Sequence, residues 1–496
     1  MLSSLLKKKR IFDHSLSYKK QYKKKKIGKI QKESINQYKL SNILTYTLDG
    51  QGTLTPLDGK FYFQGYTTTS PVLFTYIDDY PLTKSTNPNN NIVRIKLDGG
   101  VIGNNKEALE HISSTPPSLD LIDYDRHNVF FICGKKNSGK STFTPYIINR
   151  ILSENKNVYY LDCDISHHYI PYLNTFSLIK IEKPLLTNSP ILPSEYYRKI
   201  RSIYISDESD IKTNLNVIKK LFDLVELSDE KNVIVINCYS NWECNPGIYN
   251  SLIYKDLVKS NDKGCAIYFK NNFIKEKEEA NSIENILFND KVNSFLYAIS
   301  NENCDEDTKA ETFTIENNFD HKKNSEDLEL QEKKRQHEIN CVMFHYKNNA
   351  TVKQISLNKL HLFYDNIFVD KGEVKIEEIL KMLLNKHCAL FYKTTNESYK
   401  QLIDVKEITK FDIVSYCKVV DIKGDCVDVY TDIDITEENE IFIYLDNRIE
   451  KAIKETKKEM FFKYLSNARF KFDITKKEEA KKNNVIYLSR NSYNLI

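Results

Sequence analysis

A chain of 496 residues is long enough for several domains, and its 41% hydrophobic and 28% charged residues are typical of a folded protein. Its 72 Lys and Arg are nearly balanced by 68 Asp and Glu, so the net charge of +4 excludes an argument for a nucleic-acid partner from total charge. No apolar run approaches the roughly 18 residues of a membrane helix and no signal-peptide pattern is found, so we expect a soluble intracellular protein without a membrane partner.

The basic excess of the chain lies in its N-terminal residues. Lysines crowd residues 7–10 and 19–32, with little apolar pattern between them. Such runs are typical of a nuclear or nucleolar address that also contacts RNA phosphates, and equally of a solvated tail, and the two interpretations are compatible. We therefore predict a basic disordered tail over residues 1–38.

Short alternating stretches follow, separated by Gly, Asp, Pro and Asn. They read "ILTYTL", "GKFYFQGY", "PVLFTYI" and "NIVRIKL". Strand-sized runs bounded by turn residues indicate antiparallel β structure. The sequence thus predicts an N-terminal β-rich domain over residues 39–120.

The pattern changes near residue 127, where a central domain is predicted. The apolar run "NVFFIC" leads into "GKKNSGKST", then a helical pattern containing Pro145, where we expect a slight kink, and a second strand, "NVYYLDCD". Later strands, "NVIVINC" and "GCAIYF", alternate with helical stretches, which favours a parallel sheet covered on both faces. The predicted fold class is α/β, with a P-loop NTPase parallel sheet core over residues 121–360.

The rest of the chain divides into three segments. Residues 301–336 are charged and nearly free of apolar pattern, which predicts a surface insertion in the P-loop domain. Strand-sized runs over residues 361–450 predict a C-terminal β-rich domain, and residues 451–496 form a basic C-terminal extension. The core is thus predicted to be flanked by a β domain on each side in the sequence.

The ten cysteines show no C-x-x-C pair and no regular spacing. Several of them, such as Cys133, Cys238 and Cys265, lie in apolar strand-like runs. We expect reduced thiols of an intracellular protein and neither a disulfide framework nor a zinc site.

The stretch "GKKNSGKST" fits the pattern G-x-x-x-x-G-K-[ST] in a chain with only 14 glycines. The pattern binds phosphate because backbone N–H groups converge on its oxygens, which requires glycine where a Cβ would block the approach. Lysine neutralises the phosphate charge and serine coordinates Mg²⁺. The predicted nucleotide-binding residues are Gly134, Lys135, Lys136, Asn137, Ser138, Gly139, Lys140, Ser141 and Thr142.

The phosphate acceptor must be inferred from other residues. A GTPase would need an N-K-x-D motif, which the chain lacks, and a motor or AAA-type ATPase usually has a strand ending in Asp-Glu, whereas "NVIVIN" ends at Asn237. In "YLDCD", Asp162 and Asp164 alternate across a strand end, so one can face the phosphates. A carboxylate there can orient Mg²⁺ or accept the proton of an attacking hydroxyl, as in a phosphotransferase with an alcohol acceptor, or it only caps the next turn.

These segments, together with "PLL" at residues 184–186, resemble the polynucleotide 5′-hydroxyl kinases, and among them the nucleolar branch of pre-ribosomal RNA processing. "VIVINCYSNWECNPGIYN", "KKRQHEINCVMFHY" and "IVSYCKVVDIKGDCVDVYTDI" resemble further blocks of the family in the same order. The resemblance spans about residues 40–450 and is strongest from 127 to 270. It implies ATP-dependent transfer of the γ-phosphate to the 5′-OH end of RNA, with Mg²⁺.

The resemblance also implies roles for individual residues. Lys140 would hold the β- and γ-phosphates, Ser141 and Asp164 would bind Mg²⁺, and Asp164 would be the catalytic carboxylate. Trp242, the only tryptophan, would clamp the terminal base by stacking, although a core position is the alternative. Arg335 would be the lid cation that stabilises transition-state charge, unless it belongs to a solvated charge run.

One departure from the family pattern affects the acceptor site. The Gly-Gln that should follow the catalytic acid reads Ser166-His167, so His167 would take over a hydrogen bond to phosphate or water in a tighter site. This leaves open a catalytically degenerate nucleotide-binding scaffold of an rRNA-processing endonuclease complex. The related kinase branch of mRNA 3′-end and tRNA processing is a third reading, disfavoured by "KNSGKST" and the basic N-terminus.

The nucleolar branch works in a stable complex with an endoribonuclease that creates the 5′-OH end. The resemblance therefore implies a HEPN-type endoribonuclease partner, RNA with a 5′-OH end as substrate, and a location in the nucleus and nucleolus.

Overall fold

The computed structural model describes two compact units. We call them the P-loop unit, with described residues from 1–165, 176–201 and 208–322, and the C-terminal unit, from 166–175, 202–207 and 323–496. The described residues are 31–34, 37–41, 45–63, 65–86, 92–103, 122–134, 140–165, 169–187, 191–237, 252–271, 311–317, 337–346, 350–364, 376–394, 397–435 and 440–445. Among them, no helix is long and apolar enough to cross a membrane.

The N-terminal part of the P-loop unit is a seven-stranded antiparallel sheet. Its strands are β1 (Gln31–Ser34), β2 (Gln37–Ser41), β3 (Thr45–Pro56), β4 (Lys60–Phe63), β5 (Tyr66–Thr68), β6 (Val72–Thr86) and β7 (Ile92–Gly103). They are hydrogen-bonded in the order β1-β2-β7-β3-β6-β4-β5. Successive residues of a strand point to opposite faces of the sheet, so the apolar residues of several strands can share one face and pack together. The buried cluster that they form contains Leu48, Leu54, Phe61, Val72, Phe74, Ile95, Leu97, Ile102 and also Leu186.

The first two strands correct the boundary of the predicted N-terminal tail. The tail was expected to reach residue 38, but strands already occupy Gln31–Ser34 and Gln37–Ser41. Strand β2 is paired along its length with β7, from Gln37 opposite Lys96 to Ser41 opposite Ile92. A polar segment that gains its structure from a partner over fifty residues away carries no local strand signal.

A parallel sheet forms the second part of the P-loop unit. Its strands are β8 (Val129–Gly134), β9 (Asn157–Asp162), β10 (Thr175–Ile181), β11 (Tyr197–Tyr204), β12 (Asn232–Asn237), β13 (Gly264–Asn271) and β14 (Glu311–Asn317). The first residue of β10 and the last three residues of β11 belong to the C-terminal unit. Five of them are mutually parallel in the order β14-β13-β8-β12-β9, and β10 runs antiparallel to β9. All six residues of β12 are buried, as expected of a strand covered on both faces.

The strand order reverses at β8. The next strand in the chain, β9, lies on one side of β8 with β12 between them, whereas β13 lies on the other side. Open α/β sheets bind ligands where the strand order reverses in this way, at the carboxyl ends of the strands. The glycine stretch begins at this point.

Two helices of the P-loop unit are α1 (Lys140–Ser153) and α2 (Ile211–Phe222). Helix α1 continues through Pro145 and buries apolar residues at helical spacing, including Phe143, Ile147 and Ile151. It also contacts the N-terminal sheet: a Cβ at Gly65, whose φ is +84°, would lie 2.4 Å from the Tyr146 carbonyl oxygen. Only glycine permits both that backbone angle and that approach. A 3₁₀ turn at Ser194–Tyr196 and a π-helical turn at Tyr254–Lys259 complete the described helices of this unit.

Strand β14 corrects the predicted surface insertion. Residues 301–336 were expected to lie outside the sheet, yet Glu311–Asn317 is the strand at the end of the parallel order and pairs with β13 from Cys265 to Asn271. The segment "ETFTIEN" alternates apolar and polar residues, with Phe313 and Ile315 among charged neighbours. The strand was not predicted because its short apolar pattern lies within a highly charged segment.

The C-terminal unit contains seven strands that pair in both parallel and antiparallel directions. Its strands are β15 (Thr351–Ser356), β16 (Leu360–Tyr364), β17 (His387–Lys393), β18 (Leu402–Asp404), β19 (Phe411–Lys423), β20 (Cys426–Thr431) and β21 (Ile441–Tyr444). The order is β15-β20-β19-β17-β21-β16-β18. Helix α3 (Ile376–Leu383) contributes Leu380 and Leu383 to its core. Residues 337–346 are also helical, and Leu357–Lys359 and Val405–Lys410 form 3₁₀ turns.

These strands begin earlier in the chain than the predicted domain boundary at residue 361. Strand β15 pairs with β20 from Thr351 opposite Thr431 to Ser356 opposite Cys426. The text "TVKQIS" shows strand character but does not say which sheet the strand joins, and only the long-range pairing with β20 assigns it.

Candidate active site

The glycine stretch joins strand β8 to helix α1. Gly134 is the last residue of β8 and Lys140 is the first residue of α1. The side chain of Lys140 is buried, with 6% of the residue exposed, and Ser141 beside it is exposed. The first turn of α1 contains no acidic residue. A helix start with a buried lysine and no carboxylate in its first turn favours an anion at this position.

Two carboxylates lie at the end of strand β9. Asp162 is its last residue and Asp164 follows two positions later, and both are buried, with 1% and 4% exposure. Asp162 Oδ1 accepts hydrogen bonds from the backbone N–H of Asp164 and from the Asn237 side-chain amide, each at 3.1 Å. Of the two acids, Asp162 is therefore held by the ends of the strands, whereas Asp164 lies beyond the strand.

The strand register brings the acids and the glycine stretch to one edge of the sheet. Asn237, the last residue of β12, is opposite Asp162 on one side and Ile132 on the other. Gly134 therefore lies two residues beyond the row formed by these three residues. Because the strands are parallel, the nucleotide loop and the acids leave the sheet at the same carboxyl edge.

The described residues fit a phosphate site that also binds Mg²⁺. In phosphoryl-transfer enzymes Mg²⁺ is commonly bound through one or two carboxylates together with the phosphates of the substrate. The hydroxyl of Ser141 and the carboxylate of Asp164 provide oxygen ligands of that kind. Among the described residues, no group of three or more His, Cys, Asp or Glu could hold a metal ion.

Several residues predicted for the site lie outside the described residues. These are five residues of the glycine stretch, from Lys135 to Gly139, and also His167, Trp242 and Arg335. Thr142 lies within helix α1. The structure therefore brings Gly134, Lys140, Ser141 and Asp164 to one edge of the sheet, and the acceptor-side roles remain predictions from the sequence.

Asn237 is a functional candidate that sequence reasoning missed. In the sequence, Asn237 served only as an argument against a motor or AAA-type ATPase, which usually has an acid at the end of this strand. In the structure its side-chain amide donates to Asp162, and its backbone carbonyl accepts from the N–H of Cys163 at 3.2 Å. In the sequence, an aspartate and an asparagine stand at the ends of two predicted strands. A hydrogen bond between them could be predicted only if the two strands were known to be neighbours.

Comparison with known proteins gives a family match in the same region. Residues 134–244 match the model of the family described as mRNA cleavage and polyadenylation factor CLP1 P-loop. The match begins at the glycine stretch and includes both acids, Asn237 and Trp242. The predicted P-loop fold is confirmed by this match and by the strand order, but the sheet is mixed and not parallel throughout, because β10 runs antiparallel to β9.

Curated relatives carry the name polynucleotide 5′-hydroxyl-kinase NOL9. The protein of Danio rerio is 38% identical over 64 residues, which cover 13% of this chain and 9% of that protein. The protein of Bos taurus is 27% identical over 146 residues, or 29% and 20% of the two chains. That of Arabidopsis thaliana is 31% identical over 101 residues, or 20% and 27%. The matches thus span from about a tenth to about a quarter of these relatives.

A solved structure of a complex between Clp1p and a segment of Pcf11p aligns with 83% of this chain and 99% of its own. Its TM-score is 0.47 and its sequence identity is 10%. The similarity of this chain to the polynucleotide 5′-hydroxyl kinases, predicted from the sequence, is confirmed by the curated relatives and the family model.

Proposed function

We propose that this chain is an ATP-dependent polynucleotide 5′-hydroxyl kinase that transfers the γ-phosphate of ATP to the 5′-OH end of RNA. The observation that carries the proposal is the buried Asp164, two residues beyond the end of strand β9, at the edge of the sheet where the glycine stretch also begins and leads to Lys140. A carboxylate beside a phosphate-binding loop suits transfer to a hydroxyl, because it can accept the hydroxyl proton.

Each described residue has a role that follows from its chemistry. Lys140, buried at the start of α1, would neutralise oxygens of the β- and γ-phosphates. Asp164 would accept the proton of the 5′-hydroxyl as the hydroxyl oxygen bonds to the γ-phosphorus, while the bond from that phosphorus to the bridging oxygen breaks and ADP leaves. Bound Mg²⁺, held by Ser141 and Asp164, would supply positive charge to the phosphate oxygens. Positioning and charge compensation are the main needs of phosphoryl transfer.

The acceptor side rests on residues assigned by resemblance. Trp242 would stack on the terminal base, a mode that accepts any base because every base has an aromatic face. His167 would hydrogen-bond phosphate or water, and Arg335 would stabilise transition-state charge. We expect Trp242→Ala chiefly to weaken RNA binding, and thus to raise KM more than it lowers kcat.

The proposal is tested by labelling a 5′-OH oligoribonucleotide with γ-labelled ATP. We expect labelling by the wild-type protein and a loss of at least about 100-fold for Lys140→Ala, because the β- and γ-phosphates lose their buried cation. Lys220→Ala is the matched control, since Lys220 is an exposed lysine of helix α2 and its removal changes the net charge equally. A wild-type protein that binds ATP but labels no RNA, alone or with a nuclease partner, would refute the kinase.

A second candidate is a nucleotide-binding scaffold with degenerate catalysis. It is favoured by Ser166-His167, which replaces the Gly-Gln that the family has after its catalytic acid. Restoring Gly-Gln at these positions separates the two proposals. A protein that is inactive before and after the exchange, while it still binds ATP, would support the scaffold.

We further propose that the chain acts in pre-ribosomal RNA processing in the nucleolus, with a HEPN-type endoribonuclease that produces the 5′-OH end. The lysine-rich residues 7–10 and 19–32 support a nuclear address. Fluorescent tagging with and without residues 1–30 tests the address. Co-purification from cells tests the partner, and recovery of an mRNA 3′-end processing complex would favour the other kinase branch.

A further inference from the structure

The carboxyl ends of β9 and β12 are joined by bonds that no step of the phosphoryl transfer requires. Asn237 donates from its side chain to Asp162 and accepts at its backbone carbonyl from Cys163. Asp162 in turn accepts from the backbone N–H of Asp164. These three hydrogen bonds hold the backbone from Asp162 to Asp164, and each of the bonds involves Asp162 or Asn237.

We propose that Asp162 and Asn237 are positioning residues that fix the backbone from which the Asp164 side chain projects. The inference rests on the proposed function, because it concerns the reach of Asp164 to the hydroxyl of the acceptor. Asp162 acts as a hydrogen-bond acceptor and not as a second catalytic or metal-binding carboxylate. Its Oδ1 already accepts two bonds inside the protein, and the residue is 1% exposed.

The chemistry of the pair explains why β12 ends in an amide. An acid at position 237 would place a second carboxylate about 3 Å from Asp162 Oδ1, where like charges repel strongly in a buried site. An amide at this position carries no charge and donates a hydrogen to the carboxylate, and a bond to a charged acceptor is stronger than one between neutral groups. Asn237 is therefore the required partner of a buried Asp162.

The opposite ends of the same two strands supply a matched control. There the register places Asn157 opposite Asn232, and the Asn157 amide donates to Asn232 Oδ1 at 3.0 Å. This bond also joins β9 to β12 through side chains, but it lies five residues, or roughly 16 Å, from the Asp162 row. Its loss weakens the same strand pair without touching the backbone at Asp164.

The test is the kcat and KM of RNA phosphorylation in a set of substitutions. Asp162→Ala is expected to lower kcat about 100-fold with little change in KM for ATP, because small misplacements of a reacting group have effects of that size. Asp162→Asn keeps an oxygen acceptor and is expected to stay within about fivefold of wild type. Asp164→Asn, by contrast, should abolish activity, since an amide cannot accept the hydroxyl proton.

The charge requirement is tested by exchanging the two side chains. Asn237→Asp alone is expected to lower kcat about as much as Asp162→Ala, and the double variant Asp162→Asn/Asn237→Asp should recover to within about fivefold of wild type. Because both wild-type bonds go to Asp162 Oδ1, the amide at 162 must turn in the double variant, so that its Nδ2 donates to the carboxylate at 237 and its Oδ1 accepts from the Asp164 N–H. Asn157→Ala should lower thermal stability while leaving kcat unchanged.

Two results would overturn the inference. An inactive Asp162→Asn enzyme would show that the charge of Asp162 itself takes part in the reaction, and a double variant no better than Asn237→Asp would show that the two residues do not act as a pair. If the wild type phosphorylates no RNA, the proposed function fails. Thermal unfolding then still tests whether Asp162 and Asn237 interact as a pair. Asn237→Asp should then lower the Tm by about 3 °C and the exchange should restore it.

Discussion

At the scale of single residues, burial decides the reactivity of the thiols. Burial raises the pKa of Cys417 to about 12. Burial, and then the negative charge of Glu338, also raises the pKa of Cys341. Of the described cysteines, Cys426 alone is partly exposed, the other six are buried, and none of the seven forms a disulfide. Because the thiolate is the reactive form, the described thiols should differ widely in their rates of alkylation.

We predict that iodoacetamide at pH 8 alkylates Cys426 and leaves Cys417 unmodified in the folded protein. With a pKa near 12, only about one Cys417 thiol in 10,000 is ionised at that pH, and its side chain is inaccessible. Peptide mass spectrometry after short labelling gives the extent at each position. Labelling in urea is the control, in which both thiols should react. Equal labelling without urea would mean that the C-terminal unit opens readily.

Single residues also show where sequence reasoning succeeds and where it stops. Lys140 and Asp164 were identified because their motifs are local: a glycine pattern around one and a strand end before the other. The role of Asn237 could not be identified in that way. Its partner Asp162 is 75 residues away, and the bond between them exists only once β9 and β12 are neighbours.

At the scale of elements, helix α2 begins at a side-chain cap. Asp210 precedes the helix, and its Oδ1 accepts a hydrogen bond from the backbone N–H of Thr213 at 3.0 Å. A bond with the Thr213 side chain, followed by the bond with its backbone N–H, lowers the pKa of Asp210. A lowered aspartate pKa means that the ionised form stabilises the fold.

We predict that Asp210→Ala raises hydrogen exchange of the Thr213 amide about fivefold at pH 7, equivalent to about 1 kcal/mol for a lost N-cap. Asp210→Asn is the matched control, because its side-chain oxygen still accepts the bond. The difference between wild type and Asp210→Asn should depend on pH. Because the folded pKa is lowered, the extra stability is complete above the ordinary aspartate pKa of about 3.9 and is lost as pH falls through the folded pKa. An effect that persists in acid would exclude the carboxylate as its cause.

Elements were predicted well where their own residues identify them. The all-buried β12 and the apolar spacing of α1 are local patterns, and both elements occur where expected. Strands β1 and β14 were missed because their residues are mostly polar and their structure depends on pairing with β2 and β13. Edge strands need little apolar surface, so composition alone does not reveal them.

At the scale of the whole chain, distant segments build the C-terminal unit. Residues 166–175, which begin two positions after Asp164, belong to it. The Pro171 carbonyl contacts His345 Nε2 at 3.1 Å, and because a carbonyl can only accept, Nε2 carries the hydrogen. The Leu173 N–H donates to the Tyr416 hydroxyl at 2.7 Å. The segment that follows the predicted acceptor residues is therefore fixed by residues from the last third of the chain.

His345 has further partners that make it hard to replace. Its Nδ1 lies 3.1 Å from Ser415 Oγ and 3.3 Å from Asp432 Oδ2, and the Ser415 hydroxyl donates its hydrogen to Asp432. The ring centre of Tyr172 is 5.2 Å from that of His345. The residue is 4% exposed, and Ser415 and Pro171 are also buried, so the Ser415 hydroxyl and the Pro171 carbonyl would stay buried if they lost their contacts with the imidazole.

We predict that His345→Phe loosens residues 169–175 and lowers the stability of the C-terminal unit by about 2 kcal/mol, the cost of leaving buried polar groups without partners. Chymotrypsin should cleave after Tyr172 about tenfold faster, because local opening exposes the segment. Tyr346→Phe is the matched control: it removes the neighbouring buried bond, from the Tyr346 hydroxyl to His387 at 2.9 Å, which does not involve residues 169–175. The Tyr346→Phe variant should lose stability without faster cleavage after Tyr172. Faster cleavage in both variants would mean that residues 169–175 open only when the whole C-terminal unit unfolds.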